Sequence, residues 1–216
     1  MILATLASGR LFPISDVSVA GTHHTSVDAI AAASALAGTP AFSASAARAR
    51  ERVLAMPAVR DAQVEITLPE SARITVMERA PIGRWIAGGL EWFVDRDGVL
   101  FTSVDPRGAP DLRVADERSG RRAGERLDPA LVDAGMTLAR LAPSDLRSDA
   151  ISPRVVLTAG SSGLVVRTAT WEIRFGGAER MDEKIAIAKR FLRENPQRKL
   201  DYLDVRTPDS IVVSPR

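Results

Sequence analysis

The chain has 216 residues, 45% of them hydrophobic and 26% charged, with 29 Lys and Arg against 27 Asp and Glu. This is the mixture of an ordinary globular protein of one large or two small domains, and it excludes a disordered chain, a fibrous repeat and a multi-span membrane protein. A net charge of +2 gives no electrostatic case for nucleic acid or an anionic membrane, and the absence of Cys removes disulfide scaffolds, thiolate metal sites and a Cys nucleophile.

Met1-Ile-Leu-Ala-Thr-Leu-Ala is apolar but stops at Ser8-Gly9-Arg10, far short of the ~20 residues that cross a bilayer. It reads either as a frayed terminus or as the outer end of a membrane anchor. Asp16–Ala20 reads as a short strand ended by Gly21. Thr25 then stands as a helix N-cap with Asp28 three residues on, and Ala29–Ala37 is a strong helix former stopped by Gly38-Thr39-Pro40. A second helix starts at Ser43 or Ser45 and ends before Pro57. In Asp61–Leu68 apolar and polar residues alternate over eight positions, the clearest strand signal in the chain. Pro69-Glu70-Ser71 turns it back into Arg73–Glu78, with Ile74 and Val76 inward. The order is β-α-α-β-β, two helices covering three strands.

Pro81 to Arg216 reads as mostly β with two helices. Short strands at Gly83–Ile86 and Glu91–Asp95 flank Ala87-Gly88-Gly89, and Asp97-Gly98 is a tight-turn dipeptide leading into Val99-Leu100-Phe101. Asp105–Asp111 is a Pro/Gly connection and Ser119–Gly124 a polar, basic loop. Asp128-Pro129 places an N-cap before a Pro at the first helical position, and Leu131, Leu138 and Leu141 share a face. Strands at Val155–Thr158 and Leu164–Arg167 make a hairpin around Gly160-Ser161-Ser162-Gly163, and Trp171–Phe175 adds another. Met181–Asn195 is an amphipathic helix, with Ile185, Ala188, Phe191 and Leu192 inward and Lys184, Arg190 and Arg193 outward. Tyr202–Arg206 and Ile211–Val213 are the closing strands.

No catalytic constellation emerges. His23 and His24 are adjacent, so in an extended loop they point apart and read as exposed loop residues. Asp95-Arg96-Asp97-Gly98 looks like the middle of a calcium loop, but Phe93 and Val104 would stand at its first and twelfth ligand positions, and the pattern fails. Gly160-Ser161-Ser162-Gly163 is not a nucleophile elbow. Arg118–Arg122 and Arg193–Lys199 lack interleaved aromatics and read as solvated. Trp85, Trp92 and Trp171 read as packing residues. The expectation is a non-enzyme with no cofactor and no metal.

The β-α-α-β-β order, Ala58-Val59-Arg60-Asp61-Ala62-Gln63-Val64 after Met56-Pro57, the Leu68-Pro69 turn and the exit Val76-Met77-Glu78-Arg79-Ala80-Pro81 resemble the POTRA domain of the FtsQ/DivIB cell-division family. Further on, Trp85, Trp92-Phe93-Val94-Asp95 before Asp97-Gly98, Trp171-Glu172-Ile173-Arg174-Phe175-Gly176 and Tyr202-Leu203-Asp204-Val205-Arg206 resemble that family's β domain. The resemblance implies an α+β protein: an N-terminal remnant or anchor end at 1–11, a POTRA domain at 12–79, and a mostly antiparallel β domain with two helices at 80–216. It implies a non-catalytic divisome scaffold on the extracytoplasmic side of the cell membrane, held by an anchor outside this chain. Its partners would be FtsB/DivIC and FtsL, with other septal proteins on the POTRA domain. In that family a partner strand adds beside the last strand. Here that place falls to Ser210, Ile211, Val212, Val213 and Ser214, with Arg206 available for a partner carboxylate. Thr207 stands where some relatives carry an aromatic contact. The alternative is a POTRA-bearing envelope or secretion assembly component that binds extended polypeptide.

Overall fold

The computed structural model describes residues 12–102, 109–118 and 120–214. The apolar start Met1–Ala7, most of the Asp105–Asp111 connection and Ser119 lie outside them. The described residues fall into two compact units, one ending at Ala80 and one opening at Pro81, with the short stretch from Phe101 grouped with the first.

The first unit runs β1 (Asp16–Ala20), α1 (Val27–Ser34), α2 (Ala46–Leu54), β2 (Val59–Thr67) and β3 (Ser71–Glu78), the expected β-α-α-β-β order. Its sheet order is β1-β3-β2, with β1 parallel and β2 antiparallel to β3. Ala72, Ile74 and Val76 of β3 are buried against Ile30, Ala49 and Val53 of the helices. Ser26, rather than Thr25, caps α1: its Oγ accepts from the N–H of Ala29. The helix stops three residues early because Ala35 turns left-handed at φ 51°. There the buried Ser34 hydroxyl donates to the carbonyl of Ala31 and accepts from the N–H of Leu36, which replaces the next helical turn. Ser45 caps α2 in the same way.

The second unit carries β4 (Gly83–Ala87), β5 (Leu90–Val94), β6 (Leu100–Phe101), β7 (Arg113–Asp116), α3 (Pro129–Ala139), β8 (Arg154–Leu157), β9 (Leu164–Arg167), β10 (Glu172–Gly176), α4 (Met181–Glu194), β11 (Tyr202–Asp204) and β12 (Val212–Ser214). Among the described residues the strands form one sheet in the order β12-β11-β10-β9-β8-β7-β4-β5-β6. The sheet is mixed: β4–β7, β7–β8 and β10–β11 run parallel, and the hairpin neighbours run antiparallel. Asp128 caps α3, accepting from the N–H of Ala130, with Pro129 next to it. Val132, Met136 and Leu138 of α3 share the core with Trp85, Val114, Leu164, Ile173, Phe175, Leu192 and Leu203.

Two features depart from the sequence pattern. The central strand β7 carries no clear signal. Its core face holds Val114 and Asp116, both buried, so a charged residue occupies a position where alternation calls for an apolar one. Lys184 of α4 faces inward, only 3% exposed. Met181, Ala188 and Leu192 are also buried, and helical spacing puts position 184 on their stripe. The long lysine stem fills that place, and its Nζ donates to the carbonyl of Gly177 at 3.0 Å.

The Asp97-Gly98 turn forms as expected. Gly98 has φ 79°, and a Cβ there would lie 2.3 Å from the carbonyl oxygen of Leu127. The Asp95 carboxylate closes the loop by accepting from the N–H of Val99 at 2.8 Å. Gly98→Ala should therefore destabilise the protein by about 1–3 kcal/mol, read as a melting temperature several degrees lower by circular dichroism. An unchanged melting curve would show that the turn relaxes freely.

Candidate functional site

β12 ends the sheet and pairs on one side with β11, in the register Tyr202↔Ser214, Leu203↔Val213 and Asp204↔Val212. The N–H of Asp201 donates to the carbonyl of Ser214 at 2.9 Å, so that carbonyl faces inward. Val213 packs against the core, as do the buried Leu203 and Val205. Val212 is 51% and Ile211 36% exposed. Val212, Ser210, Thr207 and Arg206 come together with Asp204 around one shallow depression. The strand is displaced by one residue from the expected Ile211–Val213, which leaves Ile211 in the connection.

Arg206 is already engaged within the chain. Its Nε lies 3.0 Å from both carboxylate oxygens of Asp204, its Nη2 lies 2.7 Å from Oδ2, and its backbone N–H donates to Oδ1 at 3.0 Å. Nη1 reaches the carbonyl of Ser161 at 3.3 Å. Burial pushes the Asp204 carboxyl up, but the bonds from Arg206, aided by the nearby Arg174 charge, hold it below the ordinary aspartate value. The Arg206 stem passes over Gly176, where φ is 77° and a Cβ would lie 2.9 Å from Arg206 Cγ. Only a glycine lets the stem through. On the neighbouring strands Arg174 stacks on the Tyr202 ring at 3.7 Å and pairs with Glu172 at 2.8 Å.

A second ion pair reaches the β11–β12 connection. Arg180 donates through Nη1 and Nη2 to Asp209 at 3.0 and 3.4 Å, and through Nε and Nη2 to Glu183 at 2.7 and 2.8 Å. These bonds push the guanidinium pKa further up, Glu183 contributing most. Sequence reasoning missed this pair. The Arg180–Glu183 spacing is a local helix signal, but Asp209 is 29 positions away and nothing local links it to Arg180.

In the first unit Glu78 does what the histidines do not. Its carboxylate accepts from the backbone N–H groups of His23, His24 and Thr25, each at 2.8 Å. Burial raises its pKa, but these bonds outweigh that and hold it below the usual glutamate value. Arg79 follows and donates from Nε to the carbonyl of Pro57 at 3.0 Å. The Glu-Arg exit thus ties two loops to the end of β3. Trp85 and Trp171 are buried as expected, Trp85 donating to Asp116 at 2.9 Å.

Residues 12–79 match the FtsQ-type POTRA domain. Over 198 residues the chain is 30% identical to the cell division protein FtsQ of Chloroflexus aurantiacus, a match covering 90% of this chain and 71% of that protein. The chain belongs to the FtsQ family. A second FtsQ, from Caulobacter vibrioides, is 26% identical over 215 residues, covering 95% of this chain and 65% of that protein. Matches of this length extend over both units. Among the described residues no helix of this FtsQ homologue is long and apolar enough to cross a membrane.

The Asp204–Arg206 pair has a pH signature. A carboxyl depressed in the fold adds stability above its ordinary value near 3.8 and loses it as pH falls through the folded value. Asp204→Asn should therefore lower stability at neutral pH, and the gap to the parent should shrink as the pH falls below the ordinary aspartate value. Because Arg206 is 41% exposed, solvent screening limits the neutral-pH gap to about 1 kcal/mol. Urea unfolding at several pH values measures it, and a gap that widens in acid would be the wrong sign.

Proposed function

We propose that this FtsQ homologue is a non-catalytic divisome scaffold that links early and late division proteins by binding an FtsB/DivIC–FtsL pair during septum assembly. Residues 12–79 serve as the POTRA domain, recruiting other septal proteins through its surface. Residues 80–216 serve as the partner-binding β domain. The chain works on the extracytoplasmic side of the membrane.

The observation that carries this reading is the open edge at β12. A strand with one neighbour leaves a row of N–H and C=O groups that an extended partner segment can satisfy. The Ser214 carbonyl turns toward β11, so strand alternation turns the peptide groups of Val213 outward. Ile211 and Val212 add exposed apolar surface beside them. Arg206 contributes through the shape it imposes, because Asp204 and Ser161 already engage its donors. Charge reversal at Arg206 would set two carboxylates together and confuse loss of fold with loss of binding.

Backbone pairing predicts an asymmetric mutational response. Val213→Pro removes an outward donor and should weaken binding of the purified partner ectodomains about ten-fold or more. Val212→Ala trims one exposed side chain and should stay within about three-fold. Titration calorimetry on variants checked for fold by circular dichroism gives both numbers. Equal binding by parent and Val213→Pro would sink the edge-docking model.

A further inference from the structure

Three paired residues are a short edge. Such an edge frays readily, and a one-residue slip would exchange the faces of Val212 and Val213. The connection between β11 and β12 therefore needs an anchor, and Arg180, which opens α4, touches it directly. At the far end, Arg180 grips Asp209 with two nitrogens. At the near end the support is indirect: Lys184 holds the carbonyl of Gly177, in the turn between β10 and α4, at 3.0 Å. The adjoining Gly176 is the floor over which the Arg206 stem lies. Arg180 itself sits at φ 54°, a left-handed conformation uncommon for a residue other than glycine. Its bidentate bond to Glu183 helps fix that geometry.

We propose that Arg180 and Lys184 are positioning residues: a clamp built into the start of α4 that holds the β11–β12 connection at Arg206 and Asp209 and so presents β12 in a single register to an incoming strand. The inference rests on the reading of β12 as the docking edge. It adds that the recognition surface is preorganised from a helix outside it, which lowers the ordering cost of strand addition.

The test is hydrogen exchange of residues 207–214 in the isolated chain, alongside binding of the same partner ectodomains. The variants are Arg180→Ala, Asp209→Ala, the double variant, Arg180→Lys and Lys184→Met. Both members of the ion pair are about half or more exposed, so each alanine should speed exchange at Val212–Ser214 by about two- to five-fold and weaken binding by a similar factor. The double variant should be no worse than the worse single, because the two residues act as one unit. Arg180→Lys should recover part of the effect. Lys184→Met keeps the buried stem and should speed exchange at Thr207. The melting temperature should hold in the exposed-loop variants, which separates local ordering from global stability. Unchanged exchange over 207–214 in both alanine singles, or effects that simply add in the double, would overturn the clamp. Faster exchange with unaltered binding would overturn its role in presentation. If the parent does not bind the ectodomains at all, the docking reading falls, while exchange still decides whether the clamp orders the edge.

Discussion

A carboxylate on the core side of a central strand has to be compensated in place, and in the second unit that carboxylate is Asp116. Its side chain is fully inaccessible to solvent. It accepts from Trp85 Nε1 at 2.9 Å, from the N–H and Nε of Arg118 at 3.0 Å, and from Arg121 at 3.0 and 3.2 Å. Burial alone would raise its pKa, and these donors reverse the sign. Breaking such a group's pairing costs more than forming it gains, since a buried unpaired charge remains. β7 joins β4 to β8, so an unsatisfied charge at Asp116 would weaken the sheet at the strand that links its two halves. Arg121 also pairs with Glu125 at 2.6 Å, so the same network orders the loop that follows.

The edge repeats the device. β7 ends at Asp116 and β11 ends at Asp204, and in both an Arg two residues later folds back. The backbone N–H and the Nε of that Arg each reach the Asp at 3.0 Å. The motif terminates a strand by giving its last side chain a local partner instead of another strand. At Asp204 it also fixes the direction in which the chain leaves for β12. The shape of the candidate surface therefore depends on a charge pair that looks, in the sequence, like a free arginine. The POTRA unit uses a carboxylate for the same purpose, with Glu78 closing the loop at His23–Thr25 through three backbone donors.

Local chemistry announced most of the elements. Alternation located β2 and β3, Asp128-Pro129 marked the start of α3, and Asp97-Gly98 marked a turn whose left-handed glycine leaves no room for a side chain. These signals are legible because each arises within a few residues, from capping, from alternation or from steric limits on φ. They were enough to show the β-α-α-β-β order and, through motifs such as Glu78-Arg79, the FtsQ family.

Tertiary structure alone decided the rest, because the forces involved join residues distant in sequence. A buried Asp116 can only be recognised once Trp85 and Arg121 are seen around it, and without them β7 reads as a polar stretch. Lys184 looks outward by charge, and it is inward because a helical stripe and the Gly177 carbonyl accept it. The open edge at β12 and the Arg180–Asp209 pair follow from strand order and from a contact across 29 residues. By itself, then, the sequence determined most of the elements, their order and the family, with β7 the strand it left unmarked. Which polar groups are buried, which arginine is engaged and which strand is left at the edge were decided by packing, since a charge is tolerated inside only where distant donors converge on it.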